Sequence, residues 1–204
     1  MSSTDTVSKA DVVTAFRRTQ ILEAARDRFT HKGVSNTTVD DIAKAARVAK
    51  GTVYLYYKSK DEMLRQIVDT DIEALRAATI PTITGEAGLE ERLRGFFECT
   101  LSFFERNREF IEHCQLELSP DVRKKTRATL GRCYQAQVDA WIRALADALG
   151  RGDVAAAVVD GAARSIVSLA RGMAQQRLAG WADEPIGTTA ERAAALVLRG
   201  LATR

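Results

Sequence analysis

The stretch from Thr37 to Lys60, TTVDDIAKAARVAKGTVYLYYKSK, constrains the fold more than any other part of the chain. Thr38 is a favourable helix N-cap, and Asp41, three residues on, can return the hydrogen bond as a capping box. Asp40 and Asp41 place negative charge in the first turn, where the helix dipole favours it. Ile42, Ala43 and Ala46 then fall on one helical face. A break at Arg47-Val48-Ala49 follows. A second helix starts near Lys50-Gly51-Thr52, with Val53 and Tyr57 on its inner side. Two short helices joined by a tight turn, with a small residue (Ala43) at their crossing, have the layout of a helix-turn-helix.

The outward side of the second helix offers Lys50, Gly51, Thr52, Tyr54, Tyr56, Lys58 and Lys60, with no carboxylate among them. Ammonium groups, hydroxyls and a bare backbone amide can bond phosphate oxygens and base edges in a major groove. The competing reading is a solvated polar face with its tyrosines half-buried against a neighbouring helix; ordinary helix surfaces, however, mix both charge signs. Charge along the chain points the same way. Through Lys60 there are eleven Lys or Arg against six Asp or Glu, a balance of +5; the remainder holds nineteen against twenty-one, −2. The basic end is the end with the helix-turn-helix, which favours a nucleic-acid partner there.

These residues resemble the DNA-binding domain of the tetracycline-repressor (TetR) family. The carrying run is Gly51-Thr52-Val53-Tyr54-Leu55-Tyr56-Tyr57-Lys58-Ser59-Lys60-Asp61-Glu62-Met63, preceded by Ile21 to Phe29, Gly33 and Thr37-Thr38. The resemblance covers roughly residues 17 to 64. It departs at two places: Arg47 stands where the family usually has a turn glycine, and Ala49 where it usually has serine. A non-glycine residue with positive φ costs on the order of 1 kcal/mol, and so does a lost serine N-cap. The resemblance implies an all-α protein whose C-terminal helices bind a small-molecule effector and form a homodimer. It also implies that Arg17 and Arg18 touch the phosphate backbone, although unattached surface arginines fit the sequence equally.

Length allows one large domain or a small domain fused to a larger one. No apolar run is long enough to span a bilayer and no signal-peptide core is present, so the expected location is the cytoplasm. Cys99, Cys114 and Cys133 lack pair spacing and read as reduced packing residues. His113 and Cys114 are adjacent, so on a helix they point about 100° apart, and no zinc site is expected. No cofactor, nucleophile elbow or phosphate loop is legible, which disfavours an all-helical enzyme. A helical small-molecule-binding protein or interaction module without sequence-specific DNA binding stays open.

Along the chain, residues 1–12 read as a disordered leader. Helix one is expected from Ala15 to His31, with Phe16, Ile21, Leu22, Ala25 and Phe29 inside and Gly33 as its stop. Ser59 and Glu62 form a second capping box, opening a helix towards Thr79 that Pro81 and Gly85 break. Leu89 to Arg106 carries two stripes, Phe96/Thr100/Phe103 and Phe97/Leu101/Phe104. With Phe110, five of the seven phenylalanines lie within fifteen residues. Such a face is bundle core, or in part the lining of a pocket for an apolar or aromatic ligand. A short helix from Glu109 to Leu118 precedes a long one to about Leu149. The basic run Arg123 to Arg127 opens that long helix, and Tyr134, Val138, Trp141 and Leu145 form its inner stripe. Gly150-Arg151-Gly152 ends it, and Asp153 caps the next.

The last two helices, about 153–179 and 188–203, are apolar enough to leave an exposed patch on a monomer. Gly161, Ser165, Ser168 and Gly172 would let another backbone approach. A two-fold, four-helix homodimer interface is therefore expected. Two heads so paired reach half-sites about 34–36 Å apart.

The resulting expectation is an N-terminal three-helix DNA-binding domain (13–60) and a C-terminal ligand-binding and dimerisation bundle (61–204). Groove contacts are assigned to Lys50, Thr52, Tyr54 and Tyr56, phosphate contacts to Thr38, Lys58 and Lys60, and Gly51 is counted with them as DNA-binding. The pocket is assigned to Phe103, Phe104, His113, Trp141 and Arg171, where Arg171 pairs with an acidic ligand or lies at the surface. The effector's identity stays open.

Overall fold

The computed structural model of the chain describes residues 8–115, 117–149 and 156–202, and every regular element among them is an α-helix. In chain order these are α1 (Lys9–Lys32), α2 (Val39–Ala45), α3 (Lys50–Tyr56), α4 (Lys60–Thr84) and α5 (Leu89–Arg106). They continue with α6 (Arg108–Gln115), α7 (Pro120–Leu149), α8 (Ala156–Leu178) and α9 (Ile186–Ala202). The expected leader falls mostly on residues 1–7, outside the described residues, as do the stop at Gly150-Arg151-Gly152 and the cap at Asp153.

Two compact units divide the chain. The first comprises the residues up to Asp69 together with Glu109–Thr126; the second comprises Thr70–Arg108 and Arg127–Arg204. The first unit therefore takes in α6 and the start of α7, which the sequence pattern alone groups with the bundle. The physical reason is burial: Phe110 and Cys114 of α6 belong to the same apolar core as Ile21, Phe29, Ile42, Val53, Tyr57 and Met63. The Arg26 guanidinium also lies 4.3 Å from the Phe110 ring centroid, within cation–π range.

Helix α1 begins six residues ahead of the expected Ala15, because Ser8 and Asp11 form a capping box of their own. Phe16, expected inside, is 64% exposed. The buried stripe runs through Ile21, Ala24, Ala25 and Phe29; Phe16, five residues before Ile21, sits about 140° around the helix from it. Gly33 ends α1 at φ 76°, and its N–H donates to the Phe29 carbonyl.

In the second unit Phe96, Phe97, Val138, Trp141, Leu145, Ile166 and Val167 centre the core. Helix α5 packs against α8 and α9, and Phe96 meets Trp141 edge-on at 5.5 Å. Pro81 does not break α4, which runs on to Thr84. A proline inside a helix costs about 3 kcal/mol. The last turn is held by the fully buried Ile83; burying such a side chain returns roughly 1.5–3 kcal/mol. The Arg92 Nε donates to the Ile83 carbonyl at 2.7 Å, and the Thr82 and Thr84 hydroxyls donate to the carbonyls of Thr79 and Ile80. Of these carbonyls, that of Ile83 is one that the end of the helix leaves open.

Candidate nucleic-acid interface

The α2–α3 pair is built as its residues dictate. Thr38 and Asp41 exchange both bonds of the capping box. Those bonds, the backbone one first, hold the half-buried Asp41 carboxyl well below its ordinary range, at about 2. Arg47 carries the turn at φ 53°, and Ala49 caps α3 with no side-chain bond. Both departures noted in the sequence thus sit where they carry a cost. On the inner side Ile42, Ala43, Ala46, Val53 and Tyr57 are buried. The Tyr57 hydroxyl donates to the Arg18 carbonyl, Arg18 Nη1 donates to the Tyr56 carbonyl, and the Arg18 guanidinium lies 4.7 Å from the Tyr57 ring centroid. Arg18 therefore joins α1 to the end of α3, and Arg17 bonds Gln20 within α1.

With Val53 and Tyr57 turned in, Lys50, Gly51, Tyr54, Leu55 and Lys58 are exposed, while Thr52 and Tyr56 are half-buried. Three assigned residues already have partners. Lys50 Nζ pairs with Asp40 Oδ2 at 3.0 Å, which raises the lysine pKa, chiefly through that hydrogen bond. The carboxylate missing from α3 is thus supplied by α2; since both groups are about half exposed, the pair is weak and a phosphate can displace Asp40. The Thr38 hydroxyl is engaged by Asp41.

Lys60 departs furthest from expectation. Its ammonium donates to the carbonyls of Thr37 at 2.6 Å, Val34 at 2.7 Å and Ser35 at 3.4 Å. Three backbone acceptors in the α1–α2 loop saturate its three donors, so Lys60 reads as a brace for that loop and not as a phosphate ligand. Glu117 supports the same loop by accepting from the Ser35 amide. At the head of α4, Ser59 Oγ accepts from Glu62 N as expected, but the Glu62 carboxylate reaches Lys58 N, one residue earlier than a capping box requires.

In the second unit, a cavity of about 10 Å³ is lined by residues that include Leu75, Phe96, Thr100, Gln137 and Arg171. That is room for a single water. Arg171, 5.8 Å from the Tyr134 ring centroid, is the one assigned pocket residue that reaches it. Trp141 is fully buried in the core. Phe103 and Phe104 pair with each other at 5.8 Å, outside the lining. His113 is exposed in the first unit, its Nδ1 against the Glu109 carbonyl. Thr100 and Gln137 were missed as lining residues. Gln137 donates to the Thr79 hydroxyl, and the buried Thr100 hydroxyl has no hydrogen-bond partner among the described residues. Thr100 did stand in the phenylalanine stripe, where a hydroxyl among rings was the available signal.

The arrangement defines a helix-turn-helix module of the DNA-reading type, followed in the chain by a helical bundle. Residues 21–67 match the family model described as bacterial regulatory proteins, tetR family. The uncharacterized HTH-type transcriptional regulator YfiR of Bacillus subtilis is 40% identical over 57 residues, 28% of each chain. The HTH-type transcriptional repressor KstR2 of Mycobacterium tuberculosis is 30% identical over 105 residues, 52% of this chain and 50% of its own. These matches span half or less of those relatives. The solved structure of the TetR family transcriptional regulator PfmR from Thermus thermophilus aligns with a TM-score of 0.62 at 29% identity, covering 89% of this chain and 98% of that one. Over residues 21–67 the chain is similar to the tetR family of bacterial regulatory proteins, and its fold along most of its length is similar to that of a solved TetR family regulator. Its named relatives are transcription regulators, not enzymes.

Proposed function

We propose that this chain is a homodimeric transcriptional repressor of the cytoplasm that binds a palindromic DNA operator and is released from it by a small molecule. The observation that carries this reading is the exposed side of α3. Lys50, Gly51, Tyr54 and Lys58 face outward, with Thr52 and Tyr56 half-buried beside them. The opposite side of the same short helix is anchored by Val53 and Tyr57. Groove contacts fall to Lys50, Gly51, Thr52, Tyr54 and Tyr56, and phosphate contacts to Lys58, with Thr38 contributing once its hydroxyl turns from Asp41. The repressor sense rests on KstR2, which is named as one.

Pairing is supported by α8 and α9. Gly161, Ser165, Ser168 and Gly172 are all exposed along α8, and Val158 and Leu196 add exposed apolar surface. A second copy of the same helices fits such a face. Effector binding is assigned to the bundle cavity, where Arg171 and the unpartnered Thr100 hydroxyl are the polar groups that orient a mainly apolar ligand. At about 10 Å³ the cavity has to expand to admit one, and that expansion is the differential binding a ligand needs to shift the conformational balance.

The test is a mobility shift on the DNA upstream of the protein's own coding region, run at two salt concentrations. A discrete shift that survives competitor DNA and weakens with salt supports the reading. Salt-labile binding to every sequence alike would overturn it.

A further inference from the structure

Two residues of α3 have no task inside the protein. Leu55 is 82% exposed, although leucine surface left in water forgoes favourable burial. Gly51, one turn earlier, lies inside the helix without a positive φ, and a Cβ added there would meet nothing within 4 Å. Neither backbone conformation nor packing asks for glycine, and glycine inside a helix is unfavourable relative to alanine. A single exposed leucine is ordinary. Here the two positions are four apart and share a face, with the exposed Tyr54 next to Leu55 in the helix and the exposed Lys58 just past its end.

We propose that Gly51 and Leu55 form an apolar specificity element that reads the C5-methyl group of a thymine. The inference rests on the DNA-binding reading above and names what that surface discriminates. In the major groove thymine alone among the four bases presents a methyl group, and apolar side chains are what recognise it. The missing side chain at Gly51 lets the helix backbone come close to the duplex, and Leu55 then reaches the base edge. A cytosine in that place offers a bare C5 and an amino donor that leucine cannot satisfy. The lysines and tyrosines beside this element supply phosphate and hydrogen-bonding contacts, so the leucine discriminates without carrying the bulk of the affinity.

The experiment uses the full chain. Operators are first selected from random duplexes, and each thymine of the selected site is then replaced by uracil, which pairs identically but lacks the methyl. One thymine per half-site should show about fourfold weaker binding on replacement, the worth of one buried methyl group. Leu55→Ala should bind the thymine operator more weakly by a similar factor and be indifferent to uracil at that position. Gly51→Ala, which fills open space in the free protein, should keep or raise the melting temperature and lose about tenfold or more in affinity through the displaced backbone. Uracil indifference at every position of a selected operator, or unchanged uracil sensitivity in Leu55→Ala, would overturn the methyl assignment while leaving the DNA-binding reading intact. Failure to select any sequence would overturn both.

Discussion

The two compact units hold themselves together by different chemistry. The second rests on bulk: Trp141, Phe96, Phe97, Leu93, Val138 and Leu145 are almost wholly excluded from water in one continuous core. The first has a smaller set of large side chains and leans on polar groups aimed at the backbone. Thr38 and Asp41 cap α2, Lys60 gathers three loop carbonyls, Thr37 bonds the Gly33 carbonyl, and Glu117 holds the Ser35 amide. A core built from many dispersion contacts loses stability in proportion to the side-chain volume removed. A loop held by a few directional bonds loses a whole support when one donor goes.

The largest effect should come from Trp141→Ala, which removes the biggest fully buried side chain of the bundle. A loss of about 3–5 kcal/mol is expected by chemical denaturation; a loss under about 1 kcal/mol, well below that range, would break the picture of a tightly packed second unit. Next is Lys60→Met, which keeps the stem and deletes the ammonium. Hydrogen bonds to a charged group are worth about 1.5–3 kcal/mol together with the acceptors they satisfy, and partial exposure of Lys60 puts the expected loss near the lower end. Amide exchange should accelerate at residues 34–38, while the salt slope of DNA binding stays as in the parent protein. A changed slope with unchanged exchange would restore Lys60 to the phosphates.

Smaller effects run in the stabilising direction. Ala49→Ser supplies the cap that α3 lacks and should add about 1 kcal/mol; Arg47→Gly relieves the turn at φ 53° by a similar amount. Amide protection in α3 would report both, and no gain from either would mean that the head is not limited by these local costs. Asp41 titrates near 2 in the folded chain against 3.8 ordinarily. Its depressed pKa gives stability that is fully present above about pH 4 and is lost as pH falls through about 2. Asp41→Asn should remove that part of the acid dependence, read as a flatter pH profile of α2 helicity between those limits.

Segment 109–126 sharpens the same comparison from the side of topology. Its helix α6 follows the aromatic helix α5 in the chain, yet Phe110 and Cys114 complete the first unit's core, and the Ser119 hydroxyl donates to Asp61 near the start of α4. Burial raises the Cys133 and Cys99 thiols above their ordinary range, in keeping with cysteines that pack rather than react.

The helix-turn-helix was legible from residues alone because its determinants are local. Capping at Thr38 and Asp41 depends on neighbours three positions away and stands in the structure as read, whereas the turn at Arg47 and the missing cap at Ala49 were located through the resemblance to the family. Partners distant in sequence escaped that reading. Nothing beside Lys60 reveals that its ammonium meets the carbonyls of residues 34, 35 and 37, and nothing beside Pro81 reveals that Ile83 is buried deeply enough to carry a helix through it. The rings of α5 were countable, but whether Phe96 or Phe103 meets the cavity depends on where α7 and α8 lie. Hydrogen-bond spacing is written along the chain, whereas burial is decided only when separate helices compete for the same space.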